Sequence, residues 1–272
     1  MKIAFIWPTK DALLRYPYTR DGLHAALKII GKKHKVDVYL GDSFMKLKHR
    51  YDMFLVMTDS TDNSVDYLPK SGIRGIILTK EPSVFHNLTK FDAVFCETKI
   101  IKKIVKSKHP NAVFAIGTDE AFFTPDDSII KDIPYFYPAP FTPKSNHQAI
   151  IRYANGIRCV GVLKPDGAED LERLMERGVI VEVGMFTPEH IRGLYRRSHG
   201  VVIPALEGGE RTVLETLSCD LFPDVNPDNR NARSLVDEYV NSHYETPRDF
   251  ILGRYSAKHY ATKILEGLNL QI

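Results

Sequence analysis

The sequence predicts an α/β protein made of two Rossmann-like halves that face each other across a cleft. Three observations lead there. Short runs rich in Val, Ile and Phe alternate with helix-length segments along the 272 residues, as βαβ units require. The runs are continuously apolar, which marks parallel strands buried on both faces. A stretch at residues 122–133 that carries Pro125, Asp126 and Asp127 reads as a linker between two such series.

Taken in order, residues 2–8 form the first buried strand. Residues 21–31 form a helix with Leu23, Leu27 and Ile30 on one face. Further strands are expected at 36–40, 53–58, 73–79, 93–96 and 113–116. The second series has strands at 135–137, 157–163, 179–183 and 201–203, with a short last strand at 222–225. Helical patterns fall at 147–154, 168–177, 189–197 and 210–218, and an amphipathic helix closes the chain at 254–267. The division this suggests is 1–130 for the first half and 131–272 for the second, whose terminal helix can cross back.

Composition bounds the function. Hydrophobic residues at 43% and charged residues at 26% suit a soluble globular protein, and the length suffices for two cores. A net charge of +3 is too small to diagnose a nucleic-acid binder. Cys96, Cys159 and Cys219 are odd in number and widely spaced, which fits buried thiols in a reducing compartment better than disulfides. No CxxC pair or dense His/Cys cluster suggests a structural metal. Residues 1–7 are too short for a signal core, and no run approaches the ~20 apolar residues of a membrane span. A cytoplasmic protein is expected.

The most informative stretch is Ala205-Leu-Glu-Gly-Gly-Glu-Arg-Thr-Val-Leu-Glu-Thr-Leu-Ser-Cys219. It follows a strand, makes a turn at Gly208 and Gly209, and enters a helix with Val213, Leu214 and Leu217 on one face. Glu207 and Glu215 supply carboxylates for sugar and ribose hydroxyls. The helix N-terminus supplies backbone N–H groups and a dipole for a diphosphate. Glycines let the backbone approach a ligand; Arg211 and Thr212 follow in the first turn, the arginine able to fork onto phosphate. The same acids also suit an ordinary helix start, and Arg211 suits a plain surface position.

Other candidates lie in loops after strands. Gly184, Met185 and Phe186 precede Thr187, a helix N-cap, and Pro188 at the first helical position; a nucleobase or nothing at all fits there. Residues 18–22 offer Arg20 and backbone donors but are neither GxGxxG nor a P-loop. Lys80, Glu81 and His86 follow the fourth strand, Glu81 being the candidate for contacting hydroxyls; Asp59 and Asp62 end the third. The helix at 99–109 carries Lys99, Lys102, Lys103, Lys106 and Lys108. It is either a solvated amphipathic helix or a patch for lipid headgroups or nucleic acid.

Four segments resemble the retaining, family-four type of GT-B glycosyltransferase (glycosyl transferases group 1). Ala115-Ile-Gly-Thr-Asp-Glu-Ala-Phe-Phe-Thr-Pro125 is similar to that family's nGvDxxxFxP. The stretch from Val183 to Ser198 resembles its G-x…L-x-x-L-Y-x-x-A, the stretch from Val201 to Cys219 its PSxxEGFGxxxLEAmAcG, and Arg254-Tyr-Ser-Ala-Lys-His-Tyr-Ala261 its closing helix. The resemblance implies a GT-B fold, a UDP- or GDP-linked sugar as donor substrate with no separate cofactor, retention at the anomeric carbon and no metal in the chemistry. It implies Glu207 at the sugar, Glu215 at the ribose, Gly208 and Gly209 at the diphosphate and Gly184 to Phe186 near the base.

Departures from the pattern are specific. Glu210 stands where the family carries glycine. The Arg expected after the first strand of the second half is missing, with Lys144 alone near its companion Lys, so that Arg211 takes over the charge. Glu81 or Lys80 stands at the match of a family histidine. The function expected is therefore metal-independent sugar transfer to an acceptor hydroxyl, on a glycan or lipid-linked acceptor first and a hydroxylated DNA base second. The alternative is a degenerate GT-B protein that binds nucleotide or glycan without catalysis.

Overall fold

A computed structural model describes residues 1–9, 12–16, 19–47, 50–58, 68–69, 71–79, 88–153 and 156–270. The chain divides into two units, Met1–Gly117 with Ala257–Ile272, and Thr118–Ser256. The first unit holds β1 (Lys2–Trp7), a short helix α1 (Ala12–Arg15), α2 (Gly22–Ile30), β2 (Lys35–Leu40), β3 (Met53–Thr58), β4 (Ile73–Leu78), β5 (Ala93–Cys96), α3 (Lys99–Lys106) and β6 (Ala112–Phe114). Its strands form one parallel sheet in the order β2-β1-β3-β4-β5-β6.

The unbroken apolar runs have their reason in this sheet. Ile3, Phe5, Met53 and Leu55 fill one face with Leu23, Leu27 and Ile30 of α2 and with Tyr260, Ile264 and Leu265 of the last helix. Ala4, Ile6, Phe54 and Val56 alternate onto the other face, against Ile101 and Val105 of α3. Each fully buried large side chain contributes about 1.5–3 kcal/mol. Asp21 caps α2 and Thr98 caps α3 through their side-chain oxygens, each a contribution of about 1 kcal/mol. With its apolar face turned to the sheet, α3 leaves Lys99, Lys103 and Lys106 exposed.

The second unit holds β7 (Ile133–Pro138), β8 (Ile157–Gly161), α4 (Ala168–Glu176), β9 (Ile180–Val183), α5 (Pro188–Arg197), β10 (Ser198–Ile203), α6 (Glu210–Ser218), β11 (Pro223–Val225), α7 (Arg230–Val240) and α8 (Pro247–Arg254). Its parallel sheet runs β11-β10-β7-β8-β9. The last helix, α9 (Ala257–Gly267), belongs to the first unit. The change of unit falls at Gly117 and Thr118, upstream of the division drawn at 130/131. The reason is packing: Phe122 and Phe123 are buried, Phe123 lies edge-on to Tyr195 with ring centroids 5.7 Å apart, and Arg248 donates to the carbonyls of Glu120 and Phe123 at 3.1 Å each. The Pro/Asp-bearing stretch is thus tied down at its start.

Two local expectations are refined. The helical segment expected at 147–154 takes the form of a 3-10 helix, His147–Tyr153. His147 and Ile150 are both buried, a three-residue spacing that the 3-10 geometry places on one line. The closing helix, expected at 254–267, begins at Ala257, because Arg254 ends α8. The three cysteines are free and buried, and burial pushes each thiol up to about 12, which leaves them unreactive near neutrality. Among the described residues no helix is long and apolar enough to cross a membrane.

His147 gives the fold a pH dependence. Its ring is fully buried, stacked on Phe141 at 4.9 Å and tilted against Tyr137 at 5.0 Å. Burial lowers its pKa to about 4, partly offset by the Asp170 carboxylate. The unfolded chain therefore binds this proton first as pH falls, so the contribution is intact above about 6.5 and lost progressively down to about 4. Denaturation at stepped pH is expected to show a loss of about 3 kcal/mol across that window from this group. His147→Phe, which keeps the stack, should remove this component.

Candidate functional site

Strand order in the second unit fixes where a ligand can bind. From β7 the chain proceeds outward through β8 and β9, then returns to the other side of β7 with β10. Loops after β7 and β10 therefore leave in opposite directions and open a crevice at the carboxyl edge of the sheet. Lys144, exposed on the 3-10 turn Pro143–Ser145, follows β7. The turn with Glu207, Gly208 and Gly209 follows β10. Asn146, in the left-handed region at φ 52, joins the two by donating from Nδ2 to the Pro204 carbonyl at 2.9 Å.

The turn after β10 has the shape that a close-approaching ligand needs. Gly208 and Gly209 both have positive φ, 77 and 86, which other residues adopt only with strain. A Cβ on Gly209 would also come within 2.7 Å of Ile203 Cγ2. Gly209 is the N-cap of α6 and offers no side-chain oxygen, so no capping side chain from that position covers the helix start. Glu207 is exposed just ahead of it, and Arg211 and Thr212 are half-buried in the first turn.

Asn229 holds that turn, and it was missed in the sequence. It is fully buried. Its Nδ2 donates to the carbonyls of Ala205 at 3.0 Å and Gly208 at 2.8 Å, while its Oδ1 accepts from the Ala232 N–H in the first turn of α7. One side chain thus clamps both ends of the segment bearing Glu207 and turns two carbonyls inward. An N-cap signal was available: asparagine ahead of Ala232, Leu235 and Val236, which are buried along one face of α7.

Glu215 lies on the second turn of α6, half-buried, and its Oε2 accepts from the Tyr195 hydroxyl at 2.9 Å. Tyr195 is fully buried among Phe123 and Phe136. Burial first, and the Glu215 carboxylate next, push that hydroxyl well above its usual pKa. The carboxylate is therefore set by a rigid aromatic cluster. At the far end of α6, Arg248 donates to the Ser218 carbonyl at 2.8 Å, a cation at the negative end of the helix.

The remaining candidates fall as follows. Gly184, Met185 and Phe186 leave β9 at the same carboxyl edge; Met185 is exposed, and Phe186 stacks on His190 with centroids 5.0 Å apart. Three strand spacings separate this loop from the β10 turn, about 14 Å. Glu207, Gly208, Gly209, Arg211, Thr212 and Glu215 thus lie along one β10–α6 segment, Asn146 ties the turn carrying Lys144 to the start of that segment, and the 184–186 loop lies further along the edge. Glu81, like Lys80, His86, Asp59, Asp62 and Tyr18, lies outside the described residues.

No protein-family model matches the sequence, and no curated protein matches it. Solved structures do match the fold. AviGT4, a glycosyltransferase involved in avilamycin A biosynthesis, superposes with a TM-score of 0.69 at 12% identity over 99% of this chain and 97% of its own. Sucrose-phosphate synthase from Thermosynechococcus elongatus gives 0.61 at 12% identity, with 97% of each chain covered. The fold is that of GT-B glycosyltransferases. TarM, another GT-B structure, aligns over 80% of this chain and 54% of its own at 11% identity and a TM-score of 0.54. At these identities the GT-B likeness concerns architecture, and the chemistry has to be read from the side chains.

Proposed function

We propose that the chain moves a sugar from a nucleoside-diphosphate sugar to an acceptor hydroxyl, with retention and without a metal ion in the chemistry. The observation that carries this reading is the β10–α6 turn: two glycines of positive φ at a helix N-terminus, between Glu207 and Glu215, beside a topological switch point. Diphosphate oxygens would face the helix start, with Arg211 and Lys144 adding positive charge. Glu207 would accept from sugar hydroxyls and Glu215 from ribose, and the base would reach toward residues 184–186. As the bond from the anomeric carbon to the phosphate oxygen breaks, the acceptor oxygen bonds that carbon from the same face and its proton passes to the departing phosphate. Backbone donors aimed at that developing charge are the main catalytic contribution. The GT-B fold supports the reading, as does a TarM variant whose complex contains UDP and α-GlcNAc-glycerol.

Incubation with UDP- and GDP-sugars and simple glycan acceptors, followed by nucleotide release, tests it. Arg211→Ala is expected to lower turnover about 10²–10³-fold. Glu215→Gln, which leaves a partner for the Tyr195 hydroxyl, should raise KM for the donor. Full turnover in both variants would reject the assignment. Glycan or lipid-linked acceptors come first; salt-sensitive binding of duplex DNA would redirect the reading to a hydroxylated base. Binding without turnover is the second reading, favoured by Glu210, whose carboxylate shares the first turn of α6 and competes with phosphate for its positive end. Calorimetric nucleotide binding with no released product would select it.

A further inference from the structure

Helix α3 carries charge of one sign, and the transfer reading leaves it unused. No acidic residue occurs between Glu97 and Asp119, while Lys99, Lys102, Lys103, Lys106 and Lys108 all fall in that stretch. Thr98 caps the helix through its side chain, and no acid occupies the first turn. Lys99 lies over the Phe114 ring, with Nζ 5.9 Å from its centroid. Among the described residues, Lys102, Lys103, Lys106 and Lys108 form no ion pair. Other exposed helices carry pairs of opposite sign: Arg173 meets Glu169 on α4, and Arg233 meets Asp237 on α7 at 2.9 Å.

Uniform charge works against the helix. Lysines three or four positions apart are surface neighbours, and like charges there destabilise a helix. Lys99 stands in that relation to Lys102 and Lys103, as do Lys102 and Lys103 to Lys106. Their Cβ separations of about 5–6 Å lie inside the screening length of about 10 Å in 0.1 M salt. Lys103 and Lys106 suit the negative end of α3, but Lys99 sits at the positive end. A polyanion laid along this face would relieve the repulsion. Lys99, Lys103 and Lys106 are exposed and form a row about 10 Å long, which spans about three phosphates of one DNA strand. Two other anionic surfaces fit less well. A helix that enters a lipid surface needs a free apolar face, whereas Ile101 and Val105 are spent in the core and α3 exposes no large apolar side chain. Single strands are held by stacking on aromatic rings, and residues 99–108 contain none.

We propose that the exposed lysine face of α3 is a docking surface for the phosphate backbone of duplex DNA, independent of base sequence. Binding there does not depend on sugar transfer; where both hold, the acceptor is the hydroxylated base rather than a glycan. The full-length protein is titrated into a short fluorescent duplex of mixed sequence at salt concentrations from about 50 to 200 mM. The logarithm of the binding constant is expected to fall with the logarithm of salt at a slope of about −3. Lys103→Gln with Lys106→Gln should reduce that slope by about 2 and weaken binding about tenfold or more. Both side chains face solvent, so this variant should melt no lower than the wild type. Lys258→Gln with Lys263→Gln removes the same charge from α9, on the opposite face of the sheet, and should leave duplex binding unchanged. UDP affinity should be the same in every variant, which separates this surface from the β10–α6 turn. No duplex binding at the lowest salt, or an equal loss in the α9 variant, would overturn the proposal. So would phosphatidylserine vesicles that bind as tightly as the duplex and lose their hold in the same α3 variant.

Discussion

Replacing Asn229 by aspartate is expected to weaken nucleotide binding by about ten- to a hundredfold while leaving α7 capped. Asparagine at this position uses both faces of its amide: Oδ1 caps α7, and Nδ2 bridges Ala205 and Gly208. Aspartate keeps the acceptor and loses both donors, and its buried carboxylate then faces two carbonyl oxygens. Breaking two hydrogen bonds and leaving their acceptors unpaired costs about 1–3 kcal/mol each, and the turn bearing Glu207 should relax away from its ligand-ready shape. Such a buried acid prefers its neutral form, so its folded pKa lies above the unfolded value of about 3.9. The native state then holds the extra proton, and the variant should lose stability as pH rises above about 4. Asn229→Ala, lacking cap and clamp together, should lower stability by about 2–4 kcal/mol. Calorimetry with UDP and GDP, beside thermal melts at several pH values, reads both effects. Wild-type nucleotide affinity in Asn229→Asp would show that the clamp does not shape the site.

Gly161→Ala is expected to have the largest effect on stability, about 3–5 kcal/mol or outright failure to fold. Gly161 ends β8, where the segment after β7 crosses it: Ala139 donates to the Val160 carbonyl and Phe141 to that of Val162. A Cβ on Gly161 would overlap the carbonyl oxygen of Ala139 and press on Pro140 Cα. Both obstacles are backbone, so relief requires moving the segment that carries Lys144 and Asn146. Gly193 supplies the contrast. It lies inside α5, and a methyl group added there would meet nothing within 4 Å, so Gly193→Ala should stabilise by about 0.5–1 kcal/mol through helix propensity. Urea denaturation of the pair gives opposite signs if backbone contact governs; similar small losses would sink the claim.

What could be read in advance follows from where the information lies. The parallel strands were legible because both sheet faces are buried, so runs such as Ile3 to Trp7 and Met53 to Met57 are apolar throughout. Helix α6 was legible to the residue because glycine precedes it and Val213, Leu214 and Leu217 repeat along it. Helices α7 and α8 were not, since charges interrupt their apolar positions; their signals were Asn229 and the Thr246-Pro247 start. The burial of Phe122 and Phe123 rests on Tyr195 and Arg248, partners far along the chain that local composition does not reveal. The same distance hid the clamp by Asn229 and the support of Glu215 by Tyr195. At Asp21 the helix cap was readable, whereas the enclosure of His24 by Trp7 and Tyr16 needed three dimensions.

The return of α9 to the first unit carries a consequence for synthesis. Tyr260, Ile264 and Leu265 complete a core begun by Ile3 and Phe5, and the whole of Thr118–Ser256 is inserted between them. On the ribosome the inserted unit can close as soon as it emerges. The unit started first must wait, one flank of its sheet still wet, for α9, which follows the inserted unit in the chain.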